Sequence, residues 1–244
     1  MRLKFNRKKP RNFLNSFLYR LGNLPLAPDK VKFNLFCDLA WIFNRLAHEH
    51  GMGLTVKYFG AESQPMHKAQ YDFLKDKISK DDVLLDFGCG FGNNTHRLGK
   101  ICKSATGVDH DAKKIQYANE NFATENINFV CSDAVDFLRS SKQKYDVLVC
   151  AHNLEHLDDP DGLIQGLKNF FSFVYIEVPD LEASYLNQAK ILLGHQLNYM
   201  DDDHVSEFDR KEIFQLLANQ DLKIIDSEYK FGAMQFWVEV QKHA

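Results

Sequence analysis

Residues 83–92, Val-Leu-Leu-Asp-Phe-Gly-Cys-Gly-Phe-Gly, decide the fold of this chain. A short apolar run ends at Asp86, glycines follow at alternate positions up to Gly92, and Asn93 opens a stretch with helical character. The apolar run is typical of a buried parallel strand, and the glycines let a ligand approach the backbone of the turn. The start of the following helix would offer free N–H groups to that ligand. The segment therefore predicts a strand, a ligand-binding turn and a helix.

Two nucleotide-binding patterns compete for this turn. A dinucleotide fingerprint has the spacing Gly-x-Gly-x-x-Gly, and counted from Gly88 its third glycine falls at Asn93, so the match fails. The pattern Asp-x-Gly-x-Gly-x-Gly fits from Asp86 to Gly92. A nicotinamide-dependent oxidoreductase is therefore disfavoured, although it stays an alternative. A glycine-rich turn without any ligand is the structural alternative.

The Asp-x-Gly-x-Gly-x-Gly segment resembles the first motif of the class I S-adenosylmethionine-dependent methyltransferases. Residues 154–160 resemble the Leu-Glu-His-x-x-Asp-Pro run of small-molecule members, such as the ubiquinone-biosynthesis O-methyltransferases. Residues 45–49 and 64–68 resemble the N-terminal helices of methyltransferases from bacterial surface-polysaccharide clusters. The resemblance implies S-adenosylmethionine as cofactor and S-adenosylhomocysteine as product.

The charge, the cysteines and the apolar runs of the sequence argue against several other classes of protein. The net charge of −3 over 244 residues gives no reason to expect a nucleic-acid partner. None of the five cysteines forms a Cys-x-x-Cys pair, which argues against a zinc knuckle or a disulfide framework and fits a reducing, cytoplasmic setting. The best apolar run, residues 35–43, is short and contains Asp38, so no transmembrane helix is expected.

Residues 1–65 are predicted to form a basic arm and a helical extension. Six Lys or Arg stand within the first eleven residues, and apolar residues at helical spacing follow up to Leu21. Residues 1–21 could therefore make weak contact with an anionic membrane surface, or form a helix packed on the body behind a solvated tail. A further helix is predicted over 31–50, with Gly51 and Gly53 ending it.

The remainder, residues 66–244, is predicted to be a single methyltransferase domain of α/β class. Strand candidates alternate with helices and lie at 83–87, 104–109, 127–131, 145–150 and 173–178. This alternation predicts a Rossmann-like, mostly parallel sheet with helices on both faces. Residues 222–229 and 235–241 are expected to add an antiparallel C-terminal hairpin, and the resemblance implies seven strands. Residues 180–208 exceed an ordinary connection and form a candidate substrate-binding insertion.

The cofactor contacts are expected beyond the carboxyl ends of the strands, where ligands of open α/β sheets bind. Asp109 ends the second strand about twenty residues past the turn, the spacing at which an acid binds ribose hydroxyls. The alternative is a helix cap, for which Asp111 is the better candidate. The resemblance implies that Asp133 meets the adenine amino group and that the Ala134 backbone meets the ring, although Asp133 could equally cap the next helix. The other expected contacts are Asp86, Gly88, Cys89, Gly90, Asn93, His110, Ser132 and Ala151.

The predicted catalytic residues follow the fourth strand. His152, Glu155 and His156 are spaced i, i+3 and i+4, so one helical turn would place them on one face. Such a face can supply a general base or hold a divalent metal. The ubiquinone relatives have a metal-binding acid where His152 stands, so His152 departs from their pattern, and whether a metal binds is left open. His204, in a segment resembling their His-x-x-x-Phe run, is expected over the pocket.

The acceptor is predicted to be a small polar molecule, such as a sugar or a phosphorylated precursor of a surface polysaccharide. The insertion supplies many polar and charged side chains, which would suit such an acceptor. A non-catalytic protein that only binds S-adenosylmethionine is the second functional alternative, and the His152–His156 cluster argues against it. The oligomeric state is not predicted.

Overall fold

A computed structural model describes residues 13–141, 143–201 and 203–241, and seven strands in these ranges form one sheet. The strands are Val83–Phe87 (β1), Ser104–Asp109 (β2), Ile127–Cys131 (β3), Val147–Ala151 (β4), Phe173–Pro179 (β5), Leu222–Lys230 (β6) and Ala233–Val240 (β7). Their order is β3-β2-β1-β4-β5-β7-β6. The first five strands pair in parallel, and β7 is antiparallel to both of its neighbours. This confirms the predicted α/β class, the mostly parallel sheet and the antiparallel hairpin.

Helices cover both faces of the sheet, as predicted. They are Phe13–Gly22 (α1), Asp29–Phe59 (α2), Pro65–Leu74 (α3), Asn93–Gly99 (α4), Ala112–Phe122 (α5), Ala134–Ser140 (α6), Pro160–Leu167 (α7), Tyr185–Leu193 (α8) and Arg210–Asn219 (α9). Leu84 packs with apolar residues of α3 and α4, whereas its neighbour Leu85 packs with those of α6, α7 and α9. Successive strand residues point to opposite faces, so a strand buried on both faces is continuously apolar.

The strand order reverses between β1 and β4, and this switch point positions the site. Phe87 lies opposite Cys150 in the register of β1 and β4, so the residues after both strands meet at one edge. The Asn153 side-chain amide donates to the carbonyl oxygens of Phe87 and Ala151, each at 2.8 Å, and fastens the two strand ends together. Ligands of open α/β sheets bind at such a point.

Helix α2 is longer than predicted, and the expected stop at Gly51 and Gly53 is wrong. The helix runs from Asp29 to Phe59 and ends at Gly60, whose φ is 78° and whose N–H donates to the Val56 carbonyl. A glycine inside a helix costs about 1 kcal/mol relative to alanine, which weakens a helix without ending it. The stop is made by the glycine that adopts the left-handed conformation.

The insertion at 180–208 contains a 3-10 turn at Leu181–Ala183, helix α8 and an irregular segment. Its buried Lys190 pairs with Asp38 of α2 at 2.9 Å, which joins the insertion to the N-terminal extension. The division of the chain at residues 65 and 66 stays a prediction, and residues 1–12 of the basic arm lie outside the described ranges. Within those ranges, none of the helices has both the length and the apolar character needed to cross a membrane.

Candidate active site

The glycine turn between β1 and α4 contains left-handed backbone conformations, which glycine adopts more readily than other residues do. Gly88 has a φ of 66°, and a Cβ there would lie 1.9 Å from Asn153 Oδ1, so a side chain would break the link between the strand ends. Gly90 has a φ of 54°, and no atom lies within 4 Å of the place its Cβ would occupy. The turn therefore presents open backbone at Gly90, where a ligand can approach closely.

Asp109 holds this turn in place from the end of β2. Its Oδ2 accepts a 2.9 Å hydrogen bond from the Gly90 N–H, and its Oδ1 accepts one of 2.9 Å from the Asp111 N–H. Asp111, in turn, caps α5 by accepting from the N–H groups of Lys113 and Lys114, as expected. The structure thus ties Asp109 to the glycine turn, and its ribose contact stays a prediction.

Asp133 caps helix α6. Its Oδ1 accepts from the N–H groups of Val135 and Asp136 at 2.9 and 3.0 Å, which satisfies two donors at the start of that helix. The capping alternative is therefore present in the structure. The adenine contact of Asp133 and of the Ala134 backbone stays a prediction.

Asp86 is a buried carboxyl group beneath the turn. The Thr95 hydroxyl donates to its Oδ2 at 2.6 Å. Burial raises the pKa of Asp86 to about 7, because an ionised carboxylate loses its hydration there, and Asp109 adds a smaller repulsion. Near neutral pH, this residue is therefore divided between its neutral and charged forms.

The raised pKa of Asp86 predicts a pH-dependent stability. The folded pKa lies above the ordinary value of 3.8, so its contribution is fully present below about pH 4 and is lost as pH rises through about 7. Each pKa unit of this difference corresponds to about 1.4 kcal/mol. Asp86→Asn cannot ionise at this position. We therefore expect the free energy of unfolding of wild type to fall, relative to that of Asp86→Asn, as the pH rises from 5 to 8. Urea denaturation at both pH values measures this, and a constant difference between the two proteins would contradict it.

A cavity of about 250 Å³ opens beside the turn, and we call it the cofactor cavity. Five predicted cofactor contacts line it, namely Asp86, Gly88, Cys89, Asn93 and Ala151. It is also lined by Ala61, His67, Gln70, Phe91, Asn94, Arg97 and His152, and sequence reasoning placed none of these at the cofactor.

The other predicted cofactor residues lie along the same edge of the sheet, outside the lining of this cavity. They are Gly90, Asp109, His110, Ser132, Asp133 and Ala134. The Ser132 N–H donates to the Asp109 carbonyl at 3.1 Å, which brings the ends of β2 and β3 together. His110 lies beside them with an exposed side chain, its Nδ1 3.8 Å from Asp109 Oδ1.

Glu177 is a site residue that sequence reasoning missed. It is buried in β5, where its Oε2 accepts from the Tyr175 hydroxyl at 2.5 Å and from the Gln70 side-chain amide at 2.7 Å. Its Oε1 lies 3.4 Å from His152 Nε2. One signal could have revealed it, because an acid inside the otherwise apolar strand 173–179 needs buried partners.

His152 lies between two buried carboxylates. It precedes a 3-10 turn at Leu154–His156 and has a left-handed φ of 53°, so the predicted single helical face of His152, Glu155 and His156 does not form. Its Nδ1 is 3.2 Å from Glu155 Oε1, opposite its contact with Glu177. Partial burial disfavours the charged ring, but the two carboxylates outweigh it and raise the pKa of His152 to about 10. The ring therefore carries its proton at neutral pH and cannot accept one.

A second cavity of about 540 Å³ adjoins the first, and we call it the acceptor cavity. Its lining includes all four predicted catalytic residues, His152, Glu155, His156 and His204. Most of its other walls come from α2, the insertion and the β6–β7 turn, with Met66 of α3 and Pro179 of β5. The residues from these parts include Trp41, Asn44, Arg45, His48, Glu49, Asp201, Asp203 and Phe231. His152 lines both cavities, so the two meet at this residue.

His156 and His204 face each other in the acceptor cavity, with ring centroids 4.9 Å apart. His156 Nδ1 lies 3.2 Å from the Asp203 carbonyl oxygen, and His204 Nδ1 lies 2.6 Å from Glu207 Oε1. Both oxygens accept hydrogen bonds, so Nδ1 of each ring is placed to donate, which leaves Nε2 as the second ring nitrogen of each histidine. Each ring can then accept a proton or bind a cation.

Three side chains that can ligate a metal ion converge at these rings. One ligand atom from each of Glu155, His156 and His204 lies within 4.8 Å of the other two. Glu155 is fully buried, and its Oε2 has no hydrogen-bond partner in the described part of the chain. Two imidazoles and a carboxylate suit Zn²⁺ and similar divalent ions, and an unpaired buried oxygen is expensive without a partner. The side chains of Glu155, His156 and His204 therefore fit a divalent metal ion. This set differs from the predicted one, which contained His152 instead of His204.

Many solved structures share the fold of this chain. The chain superposes on magnesium protoporphyrin IX methyltransferase from Synechocystis PCC 6803, solved with S-adenosylhomocysteine, with a TM-score of 0.58 at 18% identity over 82% of this chain and 94% of that one. It also superposes on an N-methyltransferase from Bradyrhizobium japonicum WM9, solved with the same product, with a TM-score of 0.54 at 14% identity over 75% and 89% of the two chains. These likenesses show the fold.

Sequence comparison names a family. The chain is 30% identical over 125 residues to a ubiquinone biosynthesis O-methyltransferase of Coxiella burnetii, covering 46% of this chain and 53% of that protein. A protein of the same name from Glaesserella parasuis is 29% identical over 93 residues, 35% of this chain and 39% of the relative. The chain thus spans about half the length or less of these relatives. Residues 62–227, more than half of the chain, match a family model described as a methyltransferase domain. The chain therefore belongs to this methyltransferase domain family, whose members use S-adenosylmethionine.

Proposed function

We propose that this protein transfers the methyl group of S-adenosylmethionine to an oxygen of a small polar acceptor. The observation that carries the proposal is that His152 lines both the cofactor cavity and the acceptor cavity. A methyl donor held at the glycine turn would therefore point toward an acceptor held beside His156 and His204. S-adenosylhomocysteine would remain in the cofactor cavity as the product.

The residues of the two cavities take different parts in this proposal. Methyl transfer is an in-line displacement, so alignment of donor and acceptor supplies much of the rate. The Nε2 lone pair of His156 or His204 is the base that takes the proton of the acceptor hydroxyl. His152, already protonated between Glu155 and Glu177, acts by position and charge at the junction of the cavities.

For the acceptor, we favour a sugar or a phosphorylated precursor of a surface polysaccharide. The acceptor cavity combines an aromatic surface at Trp41 with polar groups at Asn44 and His48, which suits a molecule with a flat apolar face and many hydroxyls. An aromatic hydroxyl, as the names of the curated relatives suggest, is the second candidate, and Phe231 on the cavity wall favours it. We place the reaction in the cytoplasm, because all five cysteines are free.

The proposal is tested by titration calorimetry and a transfer assay on the same preparation. We expect S-adenosylmethionine to bind with one site per chain and the labelled methyl group to appear on sugar phosphates or on catechols. Nicotinamide dinucleotides are the matched control and should not bind. Absence of S-adenosylmethionine binding would overturn the proposal, whereas binding without transfer to any acceptor class would favour a non-catalytic binding protein.

A second candidate function of the same site is metal binding by Glu155, His156 and His204, favoured by the unpaired Glu155 Oε2. A divalent ion there would stabilise the ionised form of an acceptor hydroxyl. We expect Mn²⁺ or Zn²⁺ to bind in calorimetry and His204→Ala to weaken that binding at least tenfold. Equal weak binding by wild type and variant would assign the three side chains to proton transfer alone.

A further inference from the structure

Helix α2 presents an apolar stripe to the outside of the molecule. Val31, Leu35, Leu39, Ile42 and Leu46 recur at helical spacing and are exposed from 40% at Leu39 to 56% at Val31. The adjoining Phe36 and Phe43 are exposed by 48% and 66%. At 3.6 residues per turn, these seven positions form one continuous surface. We call this surface the α2 stripe.

The opposite side of α2 faces the body of the protein, and it combines the buried Cys37 with aromatic and polar residues. Trp41, Arg45 and His48 line the acceptor cavity, and Asp38 pairs with the buried Lys190. A surface helix usually turns its apolar side inward and its polar side outward. Helix α2 instead also turns a continuous apolar side outward, so that side is available to something outside this chain.

Helix α1 continues this exposed apolar surface. Phe13, Phe17 and Leu18 are exposed by half or more. The end of α1 lies against the stripe, because a Cβ on Gly22 would lie 2.9 Å from the Phe36 ring. An apolar surface of this extent marks a contact site on a protein that is otherwise folded.

Charge is distributed unevenly along the chain, and this distribution indicates what kind of partner binds the exposed apolar surface. The first 36 residues hold nine Lys or Arg and a single acid, Asp29, for a net charge of +8. The whole chain has a net charge of −3, so the remaining residues carry −11. Lys32 of α2 and Arg20 of α1 belong to the positive part. An exposed apolar surface in a chain whose N-terminal sequence is this positive complements anionic lipid head groups.

We infer that α1 and the α2 stripe dock this protein on an anionic membrane surface, with α2 lying in the plane of the interface. A second copy of the chain is the disfavoured occupant, because pairing two stripes would bring two segments of +8 together. Docking in this way holds the acceptor cavity on the far side of one helix, roughly 10 Å from the lipid. The inference needs only the surface and its charge, so it is independent of the proposed methyl transfer.

The test is sedimentation of the full chain with vesicles of phosphatidylcholine alone and of phosphatidylcholine mixed with phosphatidylserine. We expect binding to the mixed vesicles, at least tenfold weaker binding to the neutral ones, and loss of binding as salt is raised. The variant Leu35→Glu/Phe43→Glu should reduce binding to mixed vesicles at least tenfold. Ile225→Glu is the control, because Ile225 is also about half exposed, at 49%, but lies on strand β6 outside the stripe, so binding should be unchanged.

Calorimetry with S-adenosylmethionine on the same variants shows whether their folded bodies are intact. Wild type that stays in the supernatant with both vesicle types would overturn the inference. So would equal loss of binding in the Ile225→Glu control. A dimer in solution that the double variant converts to a monomer, with no vesicle binding by either, would assign the stripe to a second copy and also overturn it.

Discussion

Replacing His204 with alanine should lower turnover about a hundred- to ten-thousand-fold, the range that a positioned base contributes. The Glu207 carboxylate, 2.6 Å from His204 Nδ1, holds the ring in the wall of the acceptor cavity. His204 is absent from the lining of the cofactor cavity, so the Kd for S-adenosylmethionine should change less than the rate does. Turnover is measured with the best acceptor of the wild type, and the Kd by calorimetry.

Three matched variants sharpen this prediction. Glu207→Gln keeps the size of the side chain and removes its charge, so it should cause a smaller loss of rate than His204→Ala. His156→Ala removes the other lone pair, and a greater loss there would make His156 the base. His152→Gln should lower the free energy of unfolding, because it leaves the buried Glu155 and Glu177 without their cation. Unchanged rates in both His156→Ala and His204→Ala would show that the reaction needs no base from this pair.

Replacing Asp109 with alanine should weaken S-adenosylmethionine binding by roughly ten- to a hundredfold, since each hydrogen bond to a charged group is worth about 1.5–3 kcal/mol. The variant loses the bond from Asp109 to the Gly90 N–H, which shapes the turn, and the predicted bonds to the ribose. It also loses the bond to the Asp111 N–H, which positions the start of α5. Calorimetry at constant pH and salt measures the change in Kd.

Asp111→Ala is the control for this second prediction. It removes an acid from the same connection and costs α5 its cap, about 1 kcal/mol of stability, while the bond between Asp109 and Gly90 remains. Its Kd should stay within about threefold of wild type, a difference of under 1 kcal/mol. An Asp109→Ala protein that binds S-adenosylmethionine as tightly as Asp111→Ala does would contradict the role assigned to Asp109.

The sheet could be predicted because the local sequence of its strands indicates that they are buried. Val83–Phe87 and Ser104–Asp109 were expected with these bounds. Val83–Phe87 is mainly apolar because a strand covered on both faces buries both sets of side chains. The end of α2 could not be predicted in this way. Gly51 and Gly53 are equal candidates with Gly60 in sequence, and only the backbone conformation at Gly60 distinguishes the three.

The candidate site was predicted only in part, because its residues meet across long separations. Asp86, Gly88, Cys89, Asn93 and Ala151 were expected at the cofactor, and the structure brings them together around the cavity beside the glycine turn, while their contact with a cofactor stays a prediction. Glu177 went unrecognised because its partners Gln70 and His152 come from other elements. His204 lies 48 positions after His156, and the insertion alone brings their rings to 4.9 Å.

The sequence by itself determined the strand–turn–helix at residues 83–99 and the α/β class, because local apolar runs and glycine spacing encode them. Its resemblance to known motifs also indicated the methyltransferase family. Only the tertiary structure decided that His152 holds a proton between two carboxylates, while Nδ1 of His156 and Nδ1 of His204 lie against single acceptor oxygens. It also decided that the apolar side of α2 faces outward. The physical reason is the same in each case: protonation and exposure depend on neighbours in space, and these neighbours come from distant parts of the chain.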